Sequence, residues 1–424
     1  MLIKNCNLIS MAEAREKYEP GVDILIENGK IKEIGKNLDA VGDEIVDADG
    51  KIVMPGFINT HSHIAMSIFR ETLDGYSLQD WLEKKIWPME DKLTPEDIYT
   101  ASLLSFSEMA KTGTVMANDQ YFMPESSFKA ANEVGVRLMA TRTVLDVSNN
   151  ADEMLIQQEE LIKNYKGKYE NIYLNVGIHG LYTTGAETVE KAVALAKKYD
   201  VPAHIHFCEN EQEVKDIKNN YGVESPVNVL EKYFSDVHTI LAHVVKVSDE
   251  EIDRLSKLDV AVAHCPVSNM RLGCGIAKVQ QMLNKGINVT IGTDGQGSGS
   301  NLDMFDSMKF TALMQKGGFE NATYMDSYEV LKMATINGAK ALGVADEIGS
   351  IEEGKAADII MVDLGTDVCQ PVGNVFSDLV YNAKGSNVCM TMINGKVVMK
   401  DGKVEGVDTK DLYQKCADII ARIS

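Results

Sequence analysis

Short apolar runs of two kinds divide the chain. In the middle, eight runs read FINTHSH (57–63), TVMAND (114–119), RLMATRTV (137–144), LNVGIHG (174–180), PAHIHFCE (202–209), HTILAHVV (238–245), DVAVAHCP (259–266) and NVTIGTDG (288–295). Stretches with helical patterning separate most of them. Thr94-Pro95-Glu96-Asp97 opens one stretch with a capping residue, a proline at the first position and acids in the first turn, and Gly113 closes it. Ser248-Asp249-Glu250-Glu251 has the form of a capping box. Strand and helix alternating in this way predict an α/β fold, a (β/α)8 barrel over residues 56–349. The gap between the first two runs is the longest and holds Trp81 and Trp87, so a loop over the barrel mouth is expected there.

The flanks alternate in shorter steps: DILIEN, KIKEIG and EIVDADGKIVMPG on one side, ADIIMVDL and VCMTMINGKVVMKDGKV on the other. Asn28-Gly29, Asp49-Gly50, Asn394-Gly395 and Asp401-Gly402, each followed by lysine, interrupt these steps. Such pairs supply the positive φ angles of tight hairpin turns. Both flanks therefore read as antiparallel β, and residues 1–55 and 350–424 are expected to form one small β-sandwich domain. A short amphipathic helix, DLYQKCADIIARI, follows.

The chain has 424 residues and a formal net charge of −21. That length accommodates a barrel of about 250 residues and a smaller unit. An acidic field repels phosphate backbones and anionic lipid heads, which argues against nucleic-acid and membrane-surface partners. No apolar run approaches the roughly 18 residues of a membrane span. The opening MLIKNCNLISM has no apolar core followed by a small-residue cleavage site, so a cytoplasmic location is expected. The seven cysteines are scattered without a C-x-x-C, which fits reduced thiols and excludes the cysteine-ligated zinc deaminases.

Histidine changes the picture. All eight lie between His61 and His264. In a (β/α)8 barrel the chemistry sits at the C-terminal ends of the strands. His61 and His63 are two apart, so both point to one side of the first strand. They suit a divalent metal or a pair of hydrogen-bonded core histidines. His206 ends the fifth strand, with His204 one layer deeper as a buried support. Glu209, three residues beyond His206, must have left the strand and can carry a proton above it. His243 lies near the end of the sixth strand. Asp294 ends the eighth, where it can ligate a metal or simply form a turn with Gly295. Six such residues at four expected strand ends point together to a metal site.

PGFINTHSH, HFCEN, LAHVV, HCPVSNMRL and GTDGQGS, in this order, resemble the amidohydrolase superfamily, and within it the 5′-methylthioadenosine/S-adenosylhomocysteine deaminase group. The resemblance implies His61, His63, His206 and Asp294 as metal ligands, with Glu209 as proton shuttle and His243 as the residue that orients water. Asp294 counts among the catalytic residues as well. Two-metal members use a lysine on strand four; LNVGIHG has none, so one divalent ion is expected, zinc first, with iron and manganese as alternatives. The resemblance further implies Trp81, Glu90, His179, Arg142, Ser298 and Glu209 as substrate contacts. Glu90 would accept the two ribose hydroxyls, and Arg142 would face the substrate tail; from the residues alone Glu90 also reads as a solvated helix charge. Residues 146–155, DVSNNADEML, hold no second arginine of the kind that would grip a carboxylate tail. The activity implied is hydrolytic deamination of an adenosine-type nucleoside: 5′-methylthioadenosine, S-adenosylhomocysteine, adenosine or 5′-deoxyadenosine. Deamination of guanine, a pterin or a triazine is the alternative, and a non-catalytic barrel scaffold a remote one. The partner is a small molecule, and a homo-oligomer is left open.

Overall fold

The computed structural model describes residues 1–39, 44–146 and 150–424. Residues 40–43 of the N-terminal flank and 147–149 of the DVSNNADEML stretch lie outside the described residues. The eight runs form barrel strands Phe57–Ser62, Thr114–Tyr121, Arg137–Arg142, Val176–Gly180, Ala203–Phe207, Thr239–His243, Val260–His264 and Asn288–Ile291. Neighbours pair in parallel. Strand four comes in two pieces. Ile172–Leu174 pairs with strand three and Val176–Gly180 with strand five, with Asn175 between them. Several strands stop short of their apolar runs because the backbone turns sharply at their ends. Cys208, His243 and Asp294 have φ of 52°, 74° and 62°, a region that residues other than glycine seldom adopt.

Strands eight and one close the cylinder. Thr60 and Thr290 hydroxyls meet at 2.7 Å, and Asn59 Nδ2 donates to Thr293 Oγ1 at 2.7 Å. The Asp294 amide donates to the His61 carbonyl at 3.0 Å. Gly292 permits this approach, since a Cβ there would lie 2.9 Å from both Cβ and O of His61.

The flanks meet in one nine-stranded sheet. Its order runs Lys403–Val404, Lys396–Lys400, Val388–Ile393, Ile359–Val362, Ile52–Pro55, Leu2–Leu8, Glu19–Glu27 and Lys30–Gly35, with Ile45–Asp47 also on Leu2–Leu8. The expected sandwich thus takes the form of one continuous sheet with two apolar faces. Ile3, Leu8, Ile24, Ile359 and Met392 pack into the sheet's own core, while Met54, Ile360 and Val362 join the barrel core. All four Asx-Gly pairs have positive φ, and three make antiparallel hairpins. Asp49-Gly50 does not. The strands on either side of it both run parallel to Leu2–Leu8. Asn5, at φ 57°, bulges that strand, and its carbonyl accepts from the Gly50 amide at 3.0 Å. The turn steps past the bulge and keeps the same neighbour.

The expected capping box is present at Ser248, and the cap expected at Thr94 is a capping box too, closed by Asp97. Among the described residues no helix is long and apolar enough to cross a membrane.

Candidate active site

The C-terminal strand ends gather His61, His63, His206, His243, Glu209 and Asp294 at one point. Strand one turns both of its histidines inward. The His63 Nδ1–H donates to the Gln120 carbonyl at 2.6 Å, and the His206 Nδ1–H donates to the His179 carbonyl at 2.5 Å. A carbonyl only accepts, so both rings keep their Nε2 lone pairs for the site. These two Nε2 atoms are 3.3 Å apart. His61 Nδ1 lies 2.9 Å from Nε2 of His204, the supporting residue one layer down. His61 Nε2 is buried with no hydrogen-bond partner.

Asp294 completes the set. Its Oδ1 lies 3.1 Å from His63 Nε2 and 3.5 Å from His61 Nε2. Its Oδ2 accepts from the Ser268 and Ser298 hydroxyls at 2.6 and 2.8 Å. The ligand atoms of His61, His63 and His206 all lie within 4.8 Å of one another. Three imidazoles and a carboxylate converging with an orphaned nitrogen are the donor set of a borderline-soft divalent cation. Burial holds His206 well below the usual imidazole range, so its ring stays neutral, as a metal ligand must be. Burial works against a charged His63, yet the Asp294 carboxylate and the Gln120 carbonyl hold it up at about 9. Burial pulls His61 down to about 4 despite the same carboxylate.

A second grouping joins His61 and His243 to Cys265. Burial pushes the Cys265 thiol far above its usual range, and its Sγ donates to the Ala263 carbonyl at 3.5 Å. That proton would have to leave before the sulfur could ligate.

Glu209 and His243 stand beside the cluster. At Cys208 the left-handed backbone ends strand five, so Glu209 turns over the mouth. Its loop is tied down by Glu213, whose carboxylate accepts the amides of Cys208 and Glu209 at 2.8 and 2.7 Å. Burial raises the Glu209 carboxyl, with His243 opposing. The His243 Nδ1–H donates to Asn269 Oδ1 at 2.8 Å, leaving Nε2 toward the cavity. Burial disfavours its charge, but Glu209 and Asp294 outweigh burial and raise it.

Above these groups lies a cavity of about 710 Å³, counting the open space at its mouth. Four short turns, Ile64–Phe69, Leu78–Trp81, Leu82–Ile86 and Trp87–Glu90, build one wall where the loop was expected. Trp81, Glu90, His179 and Ser298 all line the cavity. Tyr121 donates from its hydroxyl to Glu90 Oε1 at 2.6 Å, and burial pushes the Glu90 carboxyl up to about 7 against that bond. The His179 ring centroid is 5.0 Å from that of His206. Arg142 is the exception among the expected contacts. It does not line the cavity; its Nη2 donates to both oxygens of Glu125 at 3.0 and 2.9 Å.

Sequence reading passed over two groups that hold this site, Ser268 on Asp294 and Tyr121 on Glu90; Asn269, which holds His243, belongs to the run after strand seven that the resemblance marks as structural support. Ser268 and Asn269 sit in HCPVSNMRL, so the motif itself carried that signal. Tyr121, two residues past the second apolar run, gave none.

The amidohydrolase family profile matches residues 52–398. The 5-methylthioadenosine/S-adenosylhomocysteine deaminase of Caldanaerobacter subterraneus subsp. tengcongensis is 40% identical over 418 residues, 97% of this chain and 96% of its own. The 5′-deoxyadenosine deaminase of Methanocaldococcus jannaschii is 40% identical over 404 residues, covering 94% and 95%. The crystal structure of an adenosine deaminase from Xanthomonas campestris with bound zinc superposes with a TM-score of 0.94 at 30% identity, covering 100% of this chain and 98% of that one.

Proposed function

The chain belongs to the amidohydrolase family, and we propose that it hydrolyses the exocyclic amine of an adenosine-type nucleoside to give the inosine analogue and ammonia. The observation that carries this reading is the convergence of three imidazoles and Asp294 beside Glu209 and His243, on the floor of a cavity walled by Trp81 and Glu90. His61, His63, His206 and Asp294 would hold one divalent ion, and zinc suits that donor set. The ion would supply a Lewis acid that lets water give up a proton near neutral pH.

The chain's own groups do the rest. Glu209 protonates the purine N1 and makes C6 electrophilic. His243 aligns the attacking water through Nε2. The Asp294 carboxylate accepts the proton that water releases and delivers it to the departing amine; ammonia leaves, the C6 hydroxyl returns its remaining proton to Glu209, and a carbonyl replaces the amine at C6. Glu90 accepts hydrogen bonds from the ribose diol, and His179 meets the base. The short turns around Trp81 exclude bulk water.

The cavity favours an uncharged 5′ substituent. Among the described residues its lining carries the carboxylates Glu90, Glu209 and Asp294 and no lysine or arginine, while Arg142 is engaged by Glu125. An unpaired carboxylate is costly to desolvate in such a place. 5′-Methylthioadenosine and 5′-deoxyadenosine are therefore ranked above S-adenosylhomocysteine.

The test is ammonia release and loss of adenine absorbance across those three nucleosides, adenosine, guanine, a pterin and a triazine. Turnover of the nucleosides, lost on chelation and restored by Zn2+, is expected. Turnover of only the bare heteroaromatic rings would overturn the reading, as would full activity in a metal-stripped enzyme.

A further inference from the structure

The helix Thr409–Ile423 belongs in sequence to the flank that builds the sheet, yet it ends against the wall of the cavity. Leu412, Cys416, Ile419 and Ile423 recur at helical spacing and are buried. Leu412 joins the barrel core. Cys416, Ile419 and Ile423 pack instead in a separate cluster with Ile68, Phe69, Leu73, Trp81, Ile86 and Leu93, the apolar side of the short turns.

Polar bonds fix the same junction. Lys92 Nζ donates to the Ile423 carbonyl at 2.5 Å, and Arg422 Nη1 donates to the Lys92 carbonyl at 3.1 Å. The other arm of Arg422 pairs with Asp97, which caps the next helix at Thr94. Lys92 sits two residues after Glu90, and the Leu93 amide donates to the Glu90 carbonyl at 2.9 Å. The segment carrying Trp81 and Glu90 is thus clamped just beyond Glu90 by one arginine, one lysine and the helix end.

We propose that the helix Thr409–Ile423 is a positioning element for the substrate pocket. Through Arg422 and its apolar face it sets the placement of Trp81 and Glu90, and with it nucleoside affinity, without touching substrate or the metal ligands. The kinetic half of this claim rests on the nucleoside reading above; the placement half does not.

The two halves can be read separately. The chain has two tryptophans, Trp81 and Trp87, and both lie on the clamped segment. Their fluorescence reports the segment whether or not any substrate is turned over. In full-length Arg422→Ala the emission should shift to longer wavelength and acrylamide quenching should rise. KM for 5′-methylthioadenosine should rise by about 3- to 30-fold, with kcat and metal content unchanged. Arg422→Lys, which retains the charge facing Asp97, should recover part of each effect. Ile419→Ala tests the apolar side in the same way. Arg254→Ala breaks an exposed pair with Glu231 on a barrel helix and should move neither fluorescence nor KM.

Unchanged tryptophan signals in both Arg422→Ala and Ile419→Ala would overturn the proposal. So would a loss of kcat and bound metal with KM unmoved. Shifted signals in a protein that deaminates no nucleoside would support the clamp and sink the activity reading instead.

Discussion

Glu209 is placed where a carboxyl must keep a proton and still release it. Burial raises it, and His243 beside it limits the rise. Glu209→Gln keeps the shape and removes the transferable proton. Turnover should fall about 100- to 10,000-fold, while metal content stays at the wild-type value and the fold is kept. Near-normal kcat by steady-state assay would remove Glu209 from the mechanism. Glu90 makes the opposite trade, between function and stability. Burial lifts it from an ordinary 4.5 to about 7, opposed by the Tyr121 hydroxyl. Between those values the folded chain holds a proton that the unfolded chain has released. Stability therefore falls as pH rises through that window, and the loss is complete above it. Glu90→Gln still accepts from Tyr121, so at about pH 8 it should be more stable than wild type by roughly 3 kcal/mol, and at about pH 4 no different. Its KM for nucleoside should rise. Urea unfolding at the two pH values, beside kinetics, reads both effects.

At the scale of elements, the period of two in His61-Ser62-His63 put both imidazoles on one side of a strand, and that much was legible. Glu209 was legible for the complementary reason, since its offset from His206 could not share a strand face. What could not be read was the left-handed turn of the backbone by which these strands end. Cys208, His243 and Asp294 leave their strands through left-handed backbone that tertiary contacts impose, and no composition marks it. Arg142 shows the same limit. Its position at the end of strand three was legible, but its pairing with Glu125 depends on the helix Pro124–Val134 that starts beside it. The same contacts explain Gly292, which reads as ordinary punctuation yet allows strand eight to reach His61. Gly292→Ala forces a Cβ to within 2.9 Å of the His61 backbone oxygen. The strands must part, so a loss of about 1–3 kcal/mol is expected, with His61 displaced and metal content reduced. Wild-type metal stoichiometry in a well-folded Gly292→Ala protein would mean that barrel closure does not set the ligand geometry.

At the scale of the whole molecule, a buried ion pair helps join barrel and sheet within a shared apolar core. Arg137 opens strand three, and Asp358 directly precedes the sheet strand Ile359–Val362. Their side chains are each 2% exposed. Arg137 Nε and Nη2 donate to the two oxygens of Asp358 at 2.6 and 3.2 Å, and the Asn394 amide donates to Oδ1 at 2.9 Å. The composite sheet therefore hangs on the barrel partly through a fork that only arginine can fill. Arg137→Met preserves volume but strands Asp358 in a dry joint, for which a loss of roughly 3–5 kcal/mol is expected. Arg137→Lys keeps the charge without the fork and should fall between. Asp358 lies far along the chain from the cavity wall, so the Tm should drop in both variants while KM at low temperature stays put. That contrast separates the joint from the helix clamp, where KM moves first. If Arg137→Met cost less than about 1 kcal/mol in a denaturant titration, the apolar faces alone would hold the two parts together.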